Sequence, residues 1–312
     1  MGHVERTGRV DEESALRFVY QYPETNGTEG DLLDSGDVGE LAVAAEAAGF
    51  DGFAFTEHPI PGARWLASGG HQSLDPFVAL SAAAAVTTRL RLLTYLAVVP
   101  YRNPFLLAKS AATLDKISHG RLTLGVGTGY QKAEFFALGV DFDERNELFD
   151  EALEVLPLHW KGDPFSYTGK HFSARDVIAR PRPVQDPIPI WIGGNSKLTL
   201  RRVAQKVQGW MPLGGPAELF TTTRTAQLAT TEAMAAKIRE LRDLAGERGA
   251  QLDIAPAYLD ATINRPDQEA DRHREAFQTL ADAGVTNLII SAPGGSPKES
   301  LEFIEAFGAT YL

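Results

Sequence analysis

The chain has 312 residues, 44% of them hydrophobic, which is enough for a large buried core in one domain of α/β-barrel size. Its formal net charge of −11 argues against nucleic acid and against an anionic membrane surface, both of which select basic faces. The absence of cysteine excludes disulfides, thiolate metal sites, iron–sulfur clusters and a cysteine nucleophile. The opening MGHVERTGRV is charged and lacks an apolar core, so it does not read as a signal peptide. Residues 1–15 read as a polar, disordered leader and 16–312 as a single domain, and a cytoplasmic setting is expected.

Short β-branched or aromatic runs then alternate with segments of helical period. LRFVYQY (16–22) reads as the first strand, and the helix after it has Asp37 available as a cap. DGFAFTEH (51–58) reads as the second strand, and DPFVALSAAAAVTT as a helix with Pro76 at an early position. LRLLTYLAVV (90–99) is the third strand, NPFLLAKSAATLDKIS the third helix, and RLTLGVG (121–127) the fourth strand. A helical stretch covers 144–160. DPFSYTGKHFSARDVIARPRPVQDP (163–187) reads as irregular chain, the body of an insertion over 161–187. IPIWIGG (188–194), GWMPL (209–213), LDIAPAYL (252–259) and VTNLIIS (285–291) are strands five to eight, separated by helical segments, and a helix over 297–307 closes the chain. Eight strand–helix units predict an α/β fold of the (β/α)8 TIM-barrel type, with an open doubly wound sheet as the alternative.

In such a barrel, chemistry sits where strands end. The predicted ends carry Tyr20, the TEH run to His58, Leu96 and Ala97, the glycine run 125–130, and Gly193 to Ser196. This ring of aromatics and glycines with few charges suits a flat, mostly apolar ligand. GVGTGY does not match a dinucleotide fingerprint, because Tyr130 stands where a third glycine is needed, and no G-K-[ST] follows for a P-loop. Two readings remain for the glycines: a strand end that lies flat against a ligand, or a tight turn into the loop. No His/Asp/Glu cluster has metal spacing, and no metal is expected.

RLRLLTYLAVVPYRNPFLLAKSAATLDKISHGRLTLGVGTGYQKAEFFALGV resembles the central block of the bacterial luciferase-like monooxygenases and coenzyme F420-dependent oxidoreductases. GFDGFAFTEH upstream and PIPIWIGGNSKLTLRRVAQKVQGWMP downstream resemble the same family, so the likeness runs from Leu16 to Pro212. It implies a barrel with an insertion after the fourth-strand region and a coenzyme at the C-terminal mouth. The ring would lie across the ends of strands three and four, backed by a bulge with a non-proline cis bond, by position Leu96–Ala97. Gly127, Thr128, Gly129 and Tyr130 would pass along the ring and its tail. The turn Gly193-Gly194-Asn195-Ser196, opening a helix, would seat the phosphate.

The resemblance favours F420 over FMN, because Thr128 stands where flavin-using members often place an arginine. Tyr130 departs from deazaflavin dehydrogenases that carry a glutamate there, and Glu134 reads as a helix-start carboxylate. His58 would orient or protonate a substrate, with Glu57 either tuning it or turning into the barrel wall. Tyr20, Trp65 and Tyr101 are assigned to the substrate pocket, although Trp65, His71 and Tyr101 fit a lid or interface equally. The function implied is F420-dependent hydride transfer to or from a small organic substrate. The alternatives are a reduced-FMN monooxygenase using dioxygen and a non-catalytic flavin-binding barrel. The resemblance also implies a homodimer and a flavin or F420 reductase as partner.

Overall fold

A computed structural model describes residues 16–24, 31–214, 220, 225–291 and 294–312; the leader expected over 1–15 lies outside them. The strands are β1 (Arg17–Gln21), β2 (Gly52–Phe55), β3 (Arg91–Thr94), β4 (Ala97–Val98), β5 (Leu122–Gly127), β6 (Phe165–Thr168), β7 (Ser173–Val177), β8 (Ile190–Gly193), β9 (Gly209–Met211), β10 (Asp253–Ile254), β11 (Ala257–Tyr258) and β12 (Asn287–Ser291). All but β6 and β7 form one parallel sheet in the order β10-β9-β8-β5-β3-β2-β1-β12-β11, with β4 also on β5. Because β10 and β11 are two pieces of one segment, the two ends of this curled sheet meet on residues 253–258.

The helices are α1 (Val38–Ala48), α2 (Ala63–Ala67), α3 (Pro76–Val86), α4 (Pro104–Ile117), α5 (Lys132–Ala137), α6 (Arg145–Trp160), α7 (Lys197–Lys206), α8 (Thr231–Ala245), α9 (Ala270–Asp282) and α10 (Pro297–Tyr311). Their starts follow from short polar side chains that satisfy first-turn amides. Asp37 accepts from Gly39 and Glu40, Asp75 from Phe77 and Val78, and Asn103 from Phe105. Pro76 and Pro104 follow their caps directly, where a missing N–H costs nothing. Among the described residues no helix is long and apolar enough to cross a membrane.

Alternation along each strand divides the core in two. Val19, Ala54, Leu93, Trp191, Met211, Ala255 and Ile289 pack together inside the curl. Phe18, Tyr20, Phe53 and Phe55 face the other way, into the larger core shared with the helices. At the N-terminal edge, buried Arg121 donates to the carbonyls of Ala84, Thr87, Leu90 and Ser118 and to Thr87 Oγ1, closing the end of α3.

Two strands differ from the sequence reading. The third is broken into β3 and β4, and the non-proline cis bond in the break is Tyr95–Leu96, one residue before the expected Leu96–Ala97, because Ala97 already pairs with Val126 in β4. The segment read as irregular holds the antiparallel hairpin β6–β7. FSYT alternates half-buried Phe165 and Tyr167 with exposed Ser166 and Thr168, and Glu151 of α6 accepts the amides of Lys170, His171 and Phe172 at its turn.

Candidate active site

The three glycines of β5 and its loop lie against the protein's own third strand. A Cβ on Gly125 would stand 2.0 Å from the Thr94 carbonyl oxygen. One on Gly127 would meet Leu96 Cδ1 at 2.5 Å, and one on Gly129, whose φ is +76°, would meet Val98 Cγ1 at 2.6 Å. From the neighbouring strand, a Cβ on Gly193 would meet Leu96 Cδ2 at 2.3 Å. The Leu96 side chain therefore sits between two bare strand ends. Leu96 and Tyr95 remain half-buried over the interior cluster and make an apolar floor at the C-terminal edge of the sheet.

His58, 7% exposed, follows β2 three residues beyond Phe55, whose carbonyl accepts the Tyr95 amide. Its amide donates to Ser73 Oγ at 2.5 Å, and its Nδ1 lies 3.3 Å from both carboxylate oxygens of Glu134. Glu134 is fully buried at the start of α5 and also accepts the Tyr101 hydroxyl at 2.7 Å. Nδ1 facing a carboxylate must carry a proton, which leaves Nε2 on the far side, 3.4 Å from the Tyr130 hydroxyl. Burial pushes the Tyr130 phenol up to about 12. Burial, and then the Glu134 carboxylate, push Tyr101 up further, so both keep their protons at neutral pH. Trp65 packs on His58 with ring centroids 4.6 Å apart, His71 at 4.9 Å and Tyr130 at 5.9 Å.

His58, Trp65, Tyr101 and Tyr130 thus lie together around Glu134, whereas other residues expected at the site lie elsewhere. Tyr20 does not line the mouth. It is fully buried on the helix side, stacked on Phe53 at 5.6 Å, because Val19 and Gln21 take the inward positions of β1. Glu57 does not meet His58. Its carboxylate accepts from Val98 N at 2.6 Å and from the Arg102 guanidinium, which also binds Asp75, and so it clamps β4 below the floor. Burial raises its pKa, and Arg102 opposes that rise.

Sequence reasoning missed Glu134 and Glu24. Glu134 looks local in sequence, although it lies 76 positions from its partner His58. Glu24 follows β1 and accepts from Gln21, from Thr56 N and Oγ1, and from His71.

At the turn after β8, Gly194 has a φ of +104°, which only glycine adopts without strain. Ser196 caps α7 through Thr199 N, and the first-turn amides of Lys197 and Leu198 have no acceptor within the helix. Asn195 is 1% exposed. Its side chain donates to Leu213 O and Ala226 O and accepts from Leu213 N, tying the loops after β8 and β9 together. Asn195→Ala is expected to cost about 2 kcal/mol, read as a lower denaturant midpoint, because the three bonds that its buried side chain makes to Leu213 and Ala226 are lost.

One cluster departs from the expectation that no group has metal geometry: Glu144, Glu147 and His171 bring ligand atoms within 4.8 Å of one another. The Lys170 ammonium, 2.5 Å from Glu147 and 3.7 Å from Glu144, already neutralises those carboxylates.

The family model for luciferase-like monooxygenases matches residues 17–292, and the chain belongs to that family. An uncharacterized protein of Mycobacterium tuberculosis, Rv0940c, is 32% identical over 264 residues, covering 80% of this chain and 83% of that one. An F420-dependent glucose-6-phosphate dehydrogenase of Nakamurella multipartita is 26% identical over 340 residues, covering 95% and 96%. Among solved structures, the monooxygenase RslO1 of Streptomyces bottropensis superposes with a TM-score of 0.72 at 22% identity, over 95% of this chain and 98% of that one. Members of the family are oxidoreductases or monooxygenases, and F420 and FMN both occur among the chain's relatives and structural neighbours.

Proposed function

We propose that this chain is an F420-dependent oxidoreductase that moves hydride between the deazaflavin and a small organic substrate, on a curled sheet best read as a (β/α)8 barrel with the β6–β7 hairpin as its insertion. The observation that carries the reading is the floor of Tyr95 and Leu96 between Gly127 and Gly193, on the strand next to the one that ends in the carboxylate-held His58. These residues fit a planar heterocycle, since Leu96, admitted by the glycines on either side of it, and Tyr95 offer an apolar face on which a ring can lie flat. The amides at the start of α7 and the turn at Gly194 fit an anionic tail. Thr128 and the TEH run favour the deazaflavin, and likeness to an F420-dependent dehydrogenase along 95% of the chain supports it.

When bound, the deazaflavin supplies hydride chemistry at its central ring carbon. The chain's own residues do the rest. Leu96 and Tyr95 would bear the ring, and Trp65 and Tyr101 would wall the space beside His58. Glu134 fixes the His58 ring through Nδ1, which leaves Nε2 as the acceptor of the Tyr130 hydroxyl, so a proton exchanged between His58 and a substrate passes through that hydroxyl. Fluorescence titration with oxidised F420 and with FMN tests the reading. Saturable binding of F420 and much weaker binding of FMN is the expected result. Binding of FMN alone would move the chain to the flavin monooxygenases, and binding of neither would end the reading.

A further inference from the structure

His58 is not the only carboxylate-backed histidine at the mouth. His71 Nδ1 lies 3.2 Å from Glu24 Oε2 and 3.1 Å from the carbonyl oxygen of Gln72. Both partners are acceptors, so Nδ1 carries the proton and the neutral ring has its lone pair on Nε2. The Glu24 side chain is 4% exposed and its four donors hold it rigidly, whereas the His71 side chain is 26% exposed. No hydrogen-bond partner among the described residues meets His71 Nε2, while His58 Nε2 is covered by Tyr130.

We propose that His71, backed by Glu24, is a second acid–base group of the mouth, and that its open Nε2 exchanges the proton with the substrate while His58 acts behind Tyr130. The proposal rests on the oxidoreductase reading above. In the reducing direction the Nε2–H bond of the imidazolium breaks as an O–H bond forms on the substrate oxygen, and the electron pair stays on the ring. The accompanying hydride would be supplied to the carbonyl carbon that bears this oxygen by a reduced deazaflavin, which would be oxidised. Glu24 stabilises the imidazolium before transfer, and the reverse reaction returns the proton to Nε2.

Diethyl pyrocarbonate, which acylates reachable unprotonated imidazole nitrogens, tests this on the full chain with peptide mass mapping. His71 is expected to react about tenfold faster than His58, and saturating oxidised F420 to slow it by a similar factor. Tyr130→Phe is expected to speed modification of His58 and leave that of His71 unchanged. Reaction of His71 no faster than that of His58, or full reactivity under bound F420, would overturn the proposal. If F420 does not bind, the coenzyme reading falls on its own, and the ranking of the two histidines still decides whether His71 is the open one.

Discussion

Glu134→Gln is expected to slow turnover about 100-fold while leaving coenzyme affinity within a factor of about two, the pattern of a lost transition-state interaction. The reason is geometric. Both oxygens of this buried carboxylate face His58 Nδ1 at 3.3 Å, and one also receives the Tyr101 hydroxyl. Glutamine keeps the volume but removes the negative charge that faces His58 Nδ1, and its amide group turns a donor toward one of two donors. The ring then loses its fixed tautomer and its bond to Tyr130 loses its aim. Single-turnover rates with a substrate accepted by the wild type, set against coenzyme titration and a thermal melt, separate this from simple unfolding. Equal rates would remove Glu134 from the machinery.

Arg102→Met is expected to lower stability by about 3 kcal/mol at neutral pH, because it strands a buried carboxylate. Glu57 is 3% exposed in its side chain and relies on Arg102 and the Val98 amide, and Arg102 also holds Asp75 at the cap of α3. The sign of the pH dependence follows from burial, which holds the folded Glu57 pKa above the ordinary carboxylate value, with Arg102 opposing it. Removing Arg102 raises that pKa further. The folded variant then keeps its proton where the unfolded chain has lost it, so its stability falls as pH rises through that window. The deficit is therefore largest at neutral pH and shrinks as pH drops toward the carboxyl range. Urea denaturation of both proteins from neutral pH to about pH 4 reads it directly, and a constant deficit would contradict the account. Because Glu57 clamps β4, the same variant is expected to weaken coenzyme binding at the floor.

Strand order and the capped helix starts were legible in the sequence because they are local. Asp37, Asp75 and Asn103 each precede an apolar helical run, and each caps a helix. The side on which a strand residue falls was less legible. RFVYQ puts Arg17, Val19 and Gln21 on one face and Phe18 and Tyr20 on the other, and because Val19 and Tyr20 are both buried the pattern did not say which face meets the inner cluster. The break in the third strand has no polar marker, which put the cis bond one residue late. The hairpin β6–β7 did have a signal, the alternation of FSYT before Gly169, hidden among prolines. In the site, TEH and the glycines were readable as motifs, but the partners of the histidines were not. Glu134 and Glu24 reach His58 and His71 from other elements, and only the curl of the sheet brings them together. The glycines themselves had a double cause, since the chain that approaches them is the protein's own Leu96, and Leu96 in turn offers the floor.

The most direct measurement of the central claim is a crystal structure of the protein soaked with oxidised F420. The account predicts the deazaflavin ring flat on Leu96 and Tyr95, its edges over Gly127 and Gly193, and its phosphate at the start of α7. A ring bound elsewhere, or a floor covered by the protein's own side chains with the coenzyme excluded, would contradict it.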